Sequence, residues 1–202
     1  DAIEALTTSP RSFAMKHYVF ISTDSVCWAQ KVPTSGVRIA EGDLADFEPQ
    51  EFDRHLEHCK LTSLGEYQLR YGGNKLGCER ILDAAWHSHG FPMTVLRLPD
   101  VYGPYDNLGG FWEIVSAVEM RRPLPTRLQL GRRRCKNSTF SLASAEDVRD
   151  AIIACIGKGP EVHGVVMNIA HEEAVCLRQA ADLVASAMGE TPLFDDSRNA
   201  SF

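Results

Sequence analysis

The sequence predicts an α/β protein with helices layered over a parallel sheet, and three observations carry that reading. Three short runs rich in β-branched and aromatic residues have the make-up of buried strands: "HYVFIS" (His17–Ser22), "FPMTVLRLP" (Phe91–Pro99) and "GVVMNIA" (Gly164–Ala170). Helical segments of about a dozen residues or more separate them, long enough for crossovers between parallel strands. Glycines stand where those helices should stop, at Gly90 and Gly189. Alternation of this kind implies right-handed crossovers and a three-layer fold.

Taken in chain order, "DAIEALTTS" at the start is helix-like, and the first strand follows at His17. From Ala29 to about Thr62 the chain is polar and punctuated by Pro and Gly, with a short helix expected in "QEFDRHLEHCK". Connections this long usually cover a site or move. A helix is expected from about Leu64 to His89, with Leu76, Ile81, Leu82 and Ala85 on one face. The second strand ends in the turn-rich "DVYGPYDN", and "GGFWEIVSAVEMRR" reads as a helix. In "SAEDVRDAIIACIGKG", Ser144 is the expected N-cap and Asp147 closes an approximate capping box. The third strand leads into a last helix, "CLRQAADLVASAMG". No repeat or low-complexity tract interrupts the pattern.

The 202 residues suffice for one domain with a sizeable core, and 44% hydrophobic with 24% charged residues is a globular composition. A formal charge of −6 argues against a general nucleic-acid binder, which needs a basic surface to displace counterions. No apolar run approaches the roughly 20 residues of a membrane span, and "DAIEALTTSPRS" lacks the apolar core of a signal peptide. Six cysteines without a C-x-x-C pair read as reduced thiols, with no metal site expected, and favour the cytoplasm.

The stretch that carries chemistry is "RYGGNKLGCERIL", Arg70–Leu82. Tyr71 and Lys75 stand at i and i+4, so they share a helix face. Two glycines between them cost about 1 kcal/mol each against alanine, and close approach to a neighbour is the usual compensation. The strand "VFIST" ends in Ser22 and Thr23, at the carboxyl end where ligands bind in open α/β sheets. A hydroxyl there, with a phenol and an ammonium on the next helix, is a proton-transfer constellation. A lysine about 4 Å from a phenol is expected to lower its pKa by about two units, into the range useful for general acid–base catalysis.

At this point the chain resembles the extended short-chain dehydrogenase/reductase family, the NAD-dependent epimerase/dehydratases. "YVFISTDSVC" is similar to the family's hydroxyl-bearing strand, "YGGNKLGCERIL" to its Y-x-x-x-K helix, "TVLRLPDVYGPYDN" to its R-x-x-N-V-Y-G-P turn and "SAEDVRDAI" to its D-V-A helix. The resemblance spans about Ala2 to Gly189. It implies a Rossmann-like, doubly wound parallel sheet with a small C-terminal substrate-binding region. Residues 1–107 and 140–172 would belong to the NAD(P)-binding domain, and 108–139 with 173–202 to the substrate region. By the same resemblance Tyr71 would be the catalytic acid/base and Lys75 would bind the nicotinamide ribose. Thr23 would bind the reacting oxygen, with Ser22 the second choice there and a cofactor contact. Pro99 and Val101 would line the nicotinamide. The implied activity is that of an NAD- or NADP-dependent oxidoreductase or epimerase/dehydratase. Its substrate would be a nucleotide sugar or another small carbonyl compound, and a homodimer would form through the Tyr71 helix and the helix after "DNLGG".

The chain departs from the family pattern in four places. No G-x-x-G-x-x-G loop is present, since "GKGPEVHG" has the wrong spacing and follows a helix. The sequence therefore reads as starting after about three strands of the nucleotide-binding sheet, which leads one to expect a longer protein or a partner covering the exposed edge. Asp100 replaces the substrate-contacting asparagine. Phe140 lies about where nucleotide-sugar enzymes place an arginine, while "GRRRCK", with Arg133 at its centre, is either a solvated basic loop or a diphosphate clamp. The stretch between Thr23 and Tyr71 is longer than usual. Tyr102 and Tyr105 flank the turn, with packing their expected role. The alternative to an enzyme is a non-catalytic dinucleotide sensor or scaffold, with RNA among its conceivable partners.

Overall fold

The computed structural model describes residues 15–27, 39–44, 63–106, 110–130, 133–135 and 139–200. The helices expected in "DAIEALTTS" and "QEFDRHLEHCK" lie outside these residues. The central sheet joins strands β1 (Tyr18–Thr23), β2 (Met93–Leu98) and β8 (Val165–Asn168), side by side in that order. All pairings are parallel, running from Tyr18 opposite Met93 to Thr23 opposite Leu98, and from Thr94 opposite Val165 to Arg97 opposite Asn168. Every residue of β2 is buried, as expected for a central strand covered on both faces.

Helix α1 (Ser63–His89) covers one face, where Leu82 and Ala85 pack with Tyr18, Phe20, Met93 and Val95. Helix α3 (Ala145–Lys158) covers the other, bringing Val148, Ala151, Ile152 and Cys155 against Val19, Leu96 and Leu98. The period of two along β1 thus sends Tyr18 and Phe20 one way and Val19 the other. One expected core residue is corrected. Ile81 is 55% exposed, because the inward stripe of α1 runs through Leu69, Leu76, Glu79, Leu82 and Ala85, and Ile81 falls one position before it. Gly90 ends α1 as expected, with φ +64° and its N–H donating to the Trp86 carbonyl. Ser144 caps α3 by accepting from the Asp147 N–H at 3.0 Å.

A second core gathers Ile114, Ala117 and Val118 of α2 (Gly110–Glu119) with Leu177, Ala180, Ala181 and Ala185 of α4 (Leu177–Met188). Leu124 of β4 (Leu124–Leu130) joins it. β4 pairs with β10 (Phe194–Ala200) in parallel and with β5 (Arg133–Cys135) in antiparallel. The basic segment around Arg133, expected to be a loop, therefore contains a strand, because its backbone is taken up by Leu128–Leu130. Two short pairs complete the fold: β3 (Asp100–Tyr102) with β7 (Leu142–Ser144), and β6 (Thr139–Phe140) with β9 (Val175–Cys176). Among the described residues no helix is long and apolar enough to cross a membrane.

Candidate active site

The carboxyl end of β1 meets the middle turns of α1, and three contacts hold them together. Lys75 Nζ donates to the Ile21 carbonyl at 2.9 Å and lies over the Phe20 ring, 4.9 Å from its centroid. Gly72 packs so closely on Ser25 that a Cβ there would overlap the Ser25 carbonyl. This accounts for one of the two glycines beside Tyr71: the helix approaches the strand end at backbone distance. The third contact is buried. Ser22, 3% exposed, donates its hydroxyl to the Glu79 carboxylate.

Glu79 and Arg97 are each 5% exposed and pair bidentately. Arg97 Nη2 lies 2.7 Å from Glu79 Oε2, and Nε reaches both carboxylate oxygens at 3.1 Å. Arg97 Nη1 donates to the Glu41 carbonyl at 3.2 Å. The Glu41 side chain in turn accepts from the Asn168 N–H at 2.9 Å, and Asn168 Nδ2 donates to the Ile39 carbonyl at 3.1 Å. Residues 39–44 are thereby fastened across the ends of β2 and β8. This network escaped the sequence reading, although a signal existed. Arg97 is the one charged residue of β2, so it demanded a buried partner, and Glu79 follows Lys75 by one helical turn.

Thr23 is nearly buried, at 9% exposure. Its Oγ1 accepts from the Ser25 N–H at 3.2 Å, and its single proton is shared between Ser25 Oγ at 3.2 Å and Asp24 Oδ1 at 3.4 Å. The Asp24 N–H donates to the Leu98 carbonyl at 2.8 Å, tying the end of β1 to that of β2. Solvent reaches Asp24, yet protein packed around its carboxylate displaces enough water to push the pKa up to about 6, with Asp100 adding repulsion. Asp24 carries no signal in the sequence that marks it as part of the site.

Tyr71 is 40% exposed and stacks on Tyr67, 6.4 Å between centroids and 5° between planes. The expected lowering of its phenol is corrected. Burial, then Tyr67 and Asp24, hold it above the ordinary tyrosine value. Lys75 does not reverse this, because its ammonium is directed to the Ile21 carbonyl and lies over the Tyr71 ring, 5.9 Å from the centroid.

At the rim, Asp100 begins β3, where loss of water and then Asp106 raise its carboxyl above the usual range. Val101 packs toward the Leu96–Leu98 core, and Pro99 is half-buried between β2 and β3. Arg133 lies in β5, away in sequence and sheet from these strand ends. Phe140 packs against the second core. Tyr102 packs on Phe111, 4.6 Å between centroids, and meets His171 Nε2 at 2.9 Å. Tyr105 does not pack: it is fully exposed, at φ +68°.

Sheet order and strand-end site together define a Rossmann-type α/β protein. The chain belongs to the NAD dependent epimerase/dehydratase family, whose model matches residues 4–170. Over 119 residues it is 29% identical to a dTDP-L-rhamnose 4-epimerase of Burkholderia thailandensis, covering 59% of this chain and 32% of that protein. Its fold is similar to that of the Thermus thermophilus UDP-glucose 4-epimerase in complex with NAD (TM-score 0.64, 19% identity, 96% of this chain and 53% of that one). A Bacillus cereus UDP-glucuronic acid 4-epimerase in complex with UDP-glucuronic acid and NAD is similar at TM-score 0.63 and 18% identity, with 99% and 51% covered. The chain spans about half the length of these two solved structures.

Proposed function

We propose that the protein is an NAD(P)-dependent epimerase or dehydratase acting on a hydroxyl or carbonyl carbon of a nucleotide sugar. Family membership supports the reaction class, and the names of the similar proteins support the substrate class. The observation that carries it is the junction of α1 with β1, where Lys75 reaches Ile21 and Gly72 abuts Ser25, so that the helix turn bearing Tyr71 lies against the residues that follow Thr23.

In this reading Tyr71 exchanges a proton with the substrate oxygen. A phenol held above its ordinary pKa is protonated at neutral pH and so set to donate first. Thr23 hydrogen-bonds the same oxygen. The adjacent Ser22 hydroxyl is already committed to Glu79, which favours Thr23 for this role. Lys75 spends one of its three N–H donors on Ile21, leaving the ammonium free to meet a ribose hydroxyl. Tyr71, Lys75 and the backbone at Pro99 and Val101 thus fit the nicotinamide-ribose end of the cofactor; no glycine-rich loop in this chain serves the pyrophosphate. When bound, the nicotinamide supplies hydride acceptance and return. Residues 108–139 and 173–202 would shape the substrate side, with Asp100 and Arg133 among its contacts. The free thiols among the described cysteines fit a cytoplasmic setting, and a homodimer through α1 and α2 suits the exposed Tyr67, Ile81 and Trp112.

The test is turnover by the intact protein with NAD or NADP and a panel of nucleotide sugars. Tyr71→Phe is expected to lower kcat by about a hundredfold or more while cofactor binding is kept. A variant with the wild-type rate removes Tyr71 from the mechanism. The sensor reading draws on the repulsion among Asp24, Asp100 and Asp106 at the rim. Cofactor binding with no reduction on any substrate would favour it.

A further inference from the structure

The Glu79–Arg97 pair lies directly beneath the strand end just assigned to the reaction, and it is an unusual thing to bury. Two charges taken out of water gain little net stability over a well-packed apolar pair, so such a pair is weak ground for a purely stabilising role. Its contacts show what else it does. Glu79 accepts the Ser22 hydroxyl, from the residue preceding Thr23. It projects from α1 one turn after Lys75, which itself holds Ile21. Two successive residues of β1 are therefore gripped by two successive turns of the helix that carries Tyr71. Arg97 fixes the carboxylate from β2 and extends to the Glu41 carbonyl, while Glu41 holds Asn168 at the end of β8.

We propose that Glu79, locked by Arg97, is a positioning residue: through Ser22 it sets the end of β1, and with it Thr23 and Asp24, against Tyr71 and Lys75. The proposal rests on the reading of the site given above. It separates function from stability, because the anchor acts on where Thr23 sits rather than on whether the chain folds. A displacement of about 1 Å at such a site costs up to a hundredfold in rate.

Two variants of the intact protein test it. Ser22→Ala removes the tie to Glu79 and leaves the ion pair whole. Removing one charge alone would strand its partner in the interior, so the second variant is the double change Glu79→Met with Arg97→Met, which clears both charges. Both are expected to keep the wild-type Tm within a few degrees, and kcat is expected to fall about tenfold or more with KM little changed. The amides of Asp24 and Ser25 are expected to exchange with solvent about tenfold faster than in wild type, while those of Thr94–Leu96 are unchanged. Wild-type kcat in both variants overturns the proposal, whatever the exchange rates. If the wild-type protein turns over no nucleotide sugar, the reading of the site fails instead. Amide exchange then decides the anchor: faster local exchange sustains it, and unchanged exchange overturns it.

Discussion

Between about pH 4 and pH 6 Asp24 keeps a proton that it would lose in the unfolded chain, because its pKa rises from 3.8 to about 6. The folded form binds more protons across that window, so this residue's contribution to stability is present below pH 3.8 and is lost as pH rises through 6. Asp24→Asn removes the penalty. It is expected to raise Tm at pH 8 by about 1–3 °C, after allowing for solvent screening, and to change it less at pH 4; melting curves at the two values check this. Gly72 makes the opposite case, one of space alone. Gly72→Ala drives a methyl group into the Ser25 carbonyl and is expected to cost about 1–3 kcal/mol in denaturant unfolding.

At the scale of elements, the strands and helices around the central sheet were legible because each carries one dominant signal. "HYVFIS" and "FPMTVLRLP" carry the β-branched and aromatic make-up of strands, and β1 and β2 form there. β2 is buried throughout as expected, whereas Tyr18, Val19 and Phe20 of β1 are partly buried and Ile21 is 36% exposed, so the expectation of a buried first strand is corrected. Ser144 announced the start of α3, and its cap is made by a single hydrogen bond from Asp147. Ser144→Ala is therefore expected to cost about 1 kcal/mol of stability, read by urea unfolding. The candidate site was legible in part. Helix spacing puts Tyr71 and Lys75 on one face, strand polarity draws attention to Ser22 and Thr23, and the family resemblance suggests their roles. Glu79 and Arg97 meet only in three dimensions, and a helical glutamate reads as solvent-facing until its partner is known. Ile81 misled for a related reason: a wide apolar stripe in sequence does not say which edge faces solvent. Nor did the chain order reveal that the basic run at Arg133 pairs with β4, since a short offset between short strands leaves no compositional mark.

For the molecule as a whole, the end of the sheet opposite the site holds a second pH-dependent feature. His17 Nε2 bonds Thr94 Oγ1 at 2.8 Å, and Thr94 gives its own proton to the Val162 carbonyl, so neutral His17 carries its hydrogen on Nε2. Its ring meets His163 edge-on at 4.7 Å. Burial, then His163, lowers the His17 pKa from 6.5, while the nearby Cys155 carbonyl opposes the shift. The unfolded chain then binds more protons just below pH 6.5, so stability is full above that value and is lost as pH falls. On this account acidification from pH 7 to pH 5 is expected to lower Tm more in wild type than in His17→Gln, the opposing gain at Asp24 being common to both proteins; paired melting curves check the difference. The close seat of Gly72 on Ser25 reaches beyond the folded molecule into inheritance. Every glycine codon lies a single base from an alanine codon, so this substitution must arise often among descendants of the gene. Those that carry it begin with a distorted helix–strand joint, and lineages that persist are expected to have kept the glycine or to have rebuilt the turn after Thr23 around its replacement.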